Sequence, residues 1–156
     1  MGIFNESRFL SGGAIRRCQA AGRIRIDGFR ADSVGRDFYA LRFGEMILMS
    51  TNFTSMDVAG DLSRTNLVSV SLSEAADGIV LHPGHIYQAV VEEVIDPKGH
   101  GTHIQIVPQL AAMGMGTTVG INAINSSNAL VVIPVFVIYP MRVRRGFPFA
   151  ELRFFG

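Results

Sequence analysis

One stretch of the chain carries a helical period. In residues 11–22, Ser-Gly-Gly-Ala-Ile-Arg-Arg-Cys-Gln-Ala-Ala-Gly, Ile15 and Cys18 stand three apart on one face. Ser11 is suited to cap the start and Gly22 to a left-handed stop. From residue 23 onward the period shortens to two. Arg23-Ile24-Arg25-Ile26 alternates polar and apolar, as does the centre of 66–72. Ile79-Val80-Leu81 runs into the turn His82-Pro83-Gly84-His85, residues 86–94 resume the strand pattern, and Ile104-Gln105-Ile106-Val107 is a further strand. Residues 130–138, Leu-Val-Val-Ile-Pro-Val-Phe-Val-Ile, are apolar at every position. That segment is expected to be covered on both faces, with Pro134 marking an edge or a bulge. Residues 141–154 close the chain as two short strands around Gly146. Short strands joined by Gly, Pro and Asn turns, with one accessory helix, predict a mainly β sandwich, barrel or jelly roll.

The 156 residues fit a single domain over 1–156. Apolar residues make up 48% and charged residues 17%, which excludes disorder and leaves few charges to cover a solvated surface. Part of the exterior is therefore expected to lie under another chain. A net charge of +1 gives no electrostatic case for nucleic acid or a membrane surface. Thirteen of the 14 basic residues are arginine, the residue better suited to interface ion pairs, and Lys98 is the only lysine. The lone Cys18 excludes an internal disulfide and a cysteine zinc cluster. The stretch 129–143 is interrupted by Pro134, Pro140 and Arg142 and is too short to span a bilayer, and the first residues have no signal-type apolar run. A non-secreted chain without a membrane span is expected.

Several groups look like chemistry until their surroundings are weighed. His82/His85 and His100/His103 have spacings that could hold a metal with a third ligand, but both pairs sit in polar turn sequence, so no metal is expected. Glu92 and Glu93 are neighbours in a strand and point to opposite faces, which prevents them from acting as a carboxylate pair. Asp61, Glu74 and Asp77 lie in polar loop sequence. Residues 113–121, Met-Gly-Met-Gly-Thr-Thr-Val-Gly-Ile, lack the lysine and the following helix of a phosphate-cradling loop. Arg142 and Arg144 share one strand face, and with Arg145 and Arg153 they suit ion pairing between protein surfaces better than nucleic-acid binding. The sequons at Asn52 and Asn125 carry no weight without secretion.

The order of elements resembles the dCTP deaminase and trimeric dUTPase superfamily, nearer the deaminase branch. The resemblance rests on a short helix, then Gly22-Arg-Ile-Arg-Ile-Asp-Gly-Phe29 and Asp37-Phe-Tyr-Ala-Leu-Arg-Phe-Gly44. It continues through Leu81-His-Pro-Gly-His-Ile-Tyr-Gln88, Val91-Glu-Glu-Val-Ile-Asp-Pro97, Leu110-Ala-Ala-Met-Gly-Met115 and Gly146-Phe-Pro-Phe-Ala-Glu-Leu-Arg-Phe154. It implies a distorted β-barrel or jelly roll with one short N-terminal helix, and a homotrimer with sites between subunits.

The same resemblance exposes what is missing. The family's phosphate-binding motif reads Gly-Arg-Ser-Ser-Leu-Ala-Arg-Leu-Gly-Leu. The frame here is Ile106-Val107-Pro108-Gln109-Leu110-Ala111-Ala112-Met113-Gly114-Met115. Val107 and Ala112 stand in place of the arginines, and Pro108 and Gln109 in place of the serines, so the charge-assisted donors a triphosphate needs are absent. The family's aspartate after this motif appears as Asn125, and its general-base glutamate falls near Pro134, in a strand with no ionisable side chain. Members of the family continue past the position of Phe154-Phe155-Gly156 into a tail that closes over the nucleotide.

These substitutions lead to the expectation of no enzyme and no cofactor: a homotrimeric structural protein, in its most specific form a bacteriophage capsid decoration or cement protein. It would lie on the virion surface, or in the cytoplasm if not phage-encoded, with itself and a larger shell as partners and without specific nucleic-acid binding. Leu110, Met113, Met115, Arg142, Arg144, Arg145, Phe154 and Phe155 are the candidate contacts between copies or to a partner. Two alternatives are a deaminase or diphosphatase with relocated groups, for which Asp37, Arg42, Glu92 and Glu93 are the suspects, and a nucleotide-sensing regulator.

Overall fold

Helix α1 (Gly12–Ala20) begins where the Ser11 hydroxyl accepts the Ala14 N–H at 3.1 Å. It presses Ile15 and Cys18 into the interior and gives way to Gly22 at φ +72°. The computed structural model describes residues 8–51, 66–119, 124 and 130–156. Asn125, Asp61 and both sequons lie outside these described residues.

Strands β1 (Arg25–Asp27), β2 (Tyr39–Thr51), β3 (Asn66–Ser71), β4 (Ile79–Leu81) and β5 (Tyr87–Asp96) follow the helix. Then come β6 (Thr102–Ile106), helix α2 (Pro108–Ala112), β7 (Met115–Thr117), β8 (Leu130–Val137), β9 (Met141–Val143) and β10 (Pro148–Phe154). All pairings are antiparallel, in the order β6–β10–β2–β5–β8–β7, with β1 added to β5 and β3 to β2. A separate ribbon joins β4 to β9. The two ends of the path, β6 and β7, touch each other, so the sheet curls almost into a barrel and α2 bridges its two edges. The mainly β architecture expected from the short alternating strands is what the chain adopts.

The core comes from the inward face of each strand. Phe43 of β2 stacks on Phe149 of β10 with ring centroids 4.0 Å apart. Ile47, Ala89 and Ile133 face one another across β2, β5 and β8, all essentially buried. Two tyrosines use their polar tips to fix loops: Tyr39 Oη accepts the Arg30 N–H, and Tyr87 Oη accepts the His82 N–H, each at 2.9 Å. Burial raises the Tyr39 pKa even though the Arg30 hydrogen bond works against it.

Two sequence expectations need correction. A second helix, α2, follows β6. It spans five residues, too few for an amphipathic repeat, and its signal is Pro108 at the start, where the missing N–H costs nothing. The other correction concerns β8, which is not covered on both faces. Val131, Ile133, Val135 and Val137 are buried, whereas Leu130 is 61% and Val132 43% exposed. A curled antiparallel sheet has one interior, so an all-apolar strand leaves its alternate residues outside. Pro134 pairs in register with Gln88 of β5, and among the described residues no strand pairs with it on the β7 side, where β7 reaches only Val135.

Candidate functional site

The frame from Ile106 to Met115 is carried by the end of β6, by α2 and by the start of β7. Val107 caps the helix without a side-chain hydrogen bond, and Gly114 at φ +101° turns the chain from α2 into β7. A Cβ on Gly114 would stand 3.1 Å from Cβ of Ile138 and 3.3 Å from the Tyr139 ring, so this glycine also allows the segment after β8 to approach. Pro108, Gln109 and Ala112 are exposed, Val107 and Leu110 are half-buried, and Gln109 alone contributes a polar side chain to the helix. No cation stands on α2. Pro134 lies away from this helix, on the outer face of β8 opposite Gln88, where its carbonyl accepts the Thr117 hydroxyl at 2.6 Å.

Beside α2 the structure opens a cleft of about 380 Å³. Leu110, Met113 and Met115 line one side, Met141–Arg144 and Phe147 the other, with Phe43 and Gln109 completing it. Of the eight candidate contacts, five (Leu110, Met113, Met115, Arg142 and Arg144) thus meet in one place. Nothing local in the sequence marks Phe43 or Phe147 for this place, because their proximity depends on the β9–β10 turn folding back toward α2.

The remaining three lie elsewhere. Arg145 turns away from the cleft into a surface network. Its guanidinium binds Glu92 at 2.9 and 3.1 Å, Ser73 Oγ at 2.9 Å and Glu45 at 3.3 Å. Its hydrogen bond to Glu92 holds that carboxyl below its ordinary range. Phe154 is fully buried in the core, and Phe155 packs on Phe9 with centroids 5.0 Å apart. Phe154 is therefore no contact residue, since its face of β10 points inward, and Arg145 is spent within its own chain.

The other charged groups fall into structural pairs. Glu93 is wholly buried and takes both the Nε–H of Arg42, at 2.7 Å, and the Arg42 backbone N–H, at 3.2 Å. Burial opposes the Arg42 charge, but the Glu93 contact outweighs it and the guanidinium pKa is raised. Glu92 projects from the opposite face, as strand alternation requires. Asp37 meets Arg153 at 3.4 Å, and Arg153 also lies over the rings of Phe9 and Phe38. The suspects for relocated catalysis are thus dispersed: Arg42 and Glu93 inside the sheet, Glu92 and Asp37 in separate surface pairs. Of the histidines, His100 Nδ1 lies 2.9 Å from the Pro97 carbonyl and His103 packs near Phe9. Among the described residues no three His, Cys, Asp or Glu side chains cluster as metal ligands, and no helix is long and apolar enough to cross a membrane.

No protein-family description matches the chain, and no curated protein sequence does. Among solved structures it is similar to 2'-deoxycytidine 5'-triphosphate deaminase from Agrobacterium tumefaciens, with a TM-score of 0.71 at 20% identity. The match takes in 95% of this chain and 48% of that one, so the chain spans about half the length of the deaminase. This overturns the expectation of no enzyme, which rested on missing motif residues: the scaffold is one on which an enzyme is built. At this identity the likeness establishes the fold, and the chain has the dUTPase-like β fold of that deaminase.

Proposed function

We propose that the chain is a self-associating structural protein, three copies of which form a unit that docks on a larger protein shell. In its most specific form it is a capsid decoration protein at the surface of a bacteriophage virion. The observation that carries this reading is the outer face of the β2–β5–β8 sheet. Met46 of β2 is 38%, Leu130 and Val132 of β8 61% and 43% exposed, and Ile86, 50% exposed, immediately precedes β5 between them. Apolar side chains grouped in this way on a chain with 17% charged residues suit burial against other subunits. Three-fold association fits the three-fold positions of an icosahedral shell. The test is a solution mass by sedimentation, followed by mixing the protein with expanded shells that lack it. A trimer that binds the shells supports the reading. A monomer at all concentrations, or a trimer that leaves the shells bare, overturns it.

A second reading is favoured by the fold shared with the deaminase and by Arg142 and Arg144 beside the cleft, which supply cations that α2 lacks. In that reading the chain binds or acts on a deoxynucleotide. Incubation with dCTP and dUTP, followed by chromatography of the products, tests it. Turnover abolished in the Arg142→Ala/Arg144→Ala variant supports it, and unchanged nucleotides count against it.

A further inference from the structure

The cleft beside α2 combines an apolar interior with a cationic margin. Met113 is 55% and Phe147 51% exposed, so two large apolar side chains stand at its edges with part of their surface in water. Ile138 and Tyr139, 61% and 65% exposed, pack over Gly114 next to it and extend the apolar surface beyond the cleft. Neither Arg142 nor Arg144 meets a carboxylate among the described residues. Arg142 donates to the Asp77 carbonyl at 3.0 Å, and Arg144 makes no ion pair with any described residue. Arg145, next in sequence, is neutralised by Glu92 and Glu45. Among the described residues, the arginine facing away from the cleft is thus paired and the two on it meet no carboxylate. Aromatic, methionine and arginine side chains around a concave apolar floor form the composition of a hot-spot socket.

From this composition and charge we infer that the cleft is a docking socket for an acidic chain segment of a partner protein. A bulky apolar side chain of that segment fills the space between Leu110, Met113 and Phe147, and flanking aspartates or glutamates meet Arg142 and Arg144. The charge selects the occupant. A basic or neutral segment would leave both guanidinium groups uncompensated in a partly dehydrated interface, a cost that an acidic one removes. The inference deepens the proposed docking role by naming the partner's chemistry, and it rests on that role only for the partner's identity.

The test is an array of short synthetic peptides carrying leucine, phenylalanine or tryptophan flanked by acidic, neutral or basic residues, incubated with the full chain. Acidic peptides with an aromatic or leucine anchor are expected to be retained. The Arg142→Glu/Arg144→Glu variant should weaken retention by at least about tenfold, the equivalent of a single lost favourable contact. Phe147→Ala, at an exposed position that does not threaten folding, should weaken it with the charges intact. Equal retention of neutral or basic peptides, no retention at all, retention unaffected by these variants, or displacement of the peptides by dCTP overturns the inference. A solution mass on the same sample keeps the two claims apart. A monomer that retains acidic peptides sinks self-association and leaves the socket standing, whereas a trimer that retains none does the reverse.

Discussion

Arg42 and Glu93 close an ion pair inside the barrel wall, Nε to Oε1 at 2.7 Å, between strands β2 and β5. The Glu93 carboxylate also accepts the Arg42 backbone N–H, and a second guanidinium nitrogen reaches the Gly28 carbonyl at 3.4 Å. The pair therefore ties the β1–β2 connection to the centre of the sheet. Removing one partner strands a buried charge, which typically costs about 3–5 kcal/mol. Glu93→Ala and Arg42→Ala are both expected to fall in that range in urea unfolding. The double replacement Arg42→Met/Glu93→Leu should cost clearly less than either single change, because it strands nothing. A double variant as unstable as the sum of the singles would show that the geometry of the pair matters beyond its charge.

The Arg145–Glu92 pair gives a pH dependence with a definite sign. Arg145 lowers the Glu92 pKa from its ordinary value of 4.5, so the folded state binds that proton less readily than the unfolded chain. The stabilisation is present above the unfolded value and is lost as pH falls through the depressed one. Both side chains are partly exposed, so solvent screens the pair and the contribution should be modest. Urea midpoints measured from pH 7 down to pH 3 should fall more steeply in the parent than in Arg145→Ala. Parallel slopes would mean that the network carries no linked proton.

Gly44 marks the bulge where β2 shifts register against β5 between Phe43 and Ile47. A Cβ there would stand 2.6 Å from the Val90 carbonyl oxygen and 3.0 Å from the Glu92 nitrogen, both backbone atoms that cannot rotate aside. Gly44→Ala is expected to cost about 1–3 kcal/mol from overpacking, and it should disturb the neighbouring Arg42–Glu93 pair as well. Coupling is measurable: combined with Glu93→Ala, the two losses should not add. Additive losses would show that the bulge and the pair are independent.

Local signals in the sequence translate directly into structure. Ser11 and Gly22 bound a helix because capping and left-handed turns act within a few residues, and the alternation Arg23-Ile24-Arg25-Ile26 sends Ile24 and Ile26 inward. What the sequence concealed depends on long-range closure. Glu93 and Arg42 are 51 positions apart, and nothing local distinguishes the buried glutamate from its surface neighbour Glu92. An apolar run also cannot say which of its faces a barrel will enclose, which is why Val132 is exposed. Phe154 has the composition of an interface residue and belongs to the core because β10 runs between β2 and β6. The motif frame with Leu110, Met113 and Met115 and the strand with Arg142 and Arg144 are each visible in the sequence, while their meeting with one another and with Phe43 and Phe147 requires the fold.

The exposed face of β8 provides the most direct test of self-association. Val132 is 43% exposed on the outer face of β8, where it pairs with Val90 of β5. In an isolated chain Val132→Asp places a charge on a surface that is already wet, and unfolding stability should change by no more than about 0.5 kcal/mol. In an assembly the same carboxylate would be buried without a partner, at a cost of several kcal/mol per interface. The expected outcome is a fall in sedimentation mass to the monomer with the urea midpoint of dilute protein unchanged. Leu130→Asp, on the same outer face and more exposed, should act in the same direction. If both variants keep the parent's mass, the β2–β5–β8 face is open to solvent in the working protein, and any association must use the surface around α2 instead.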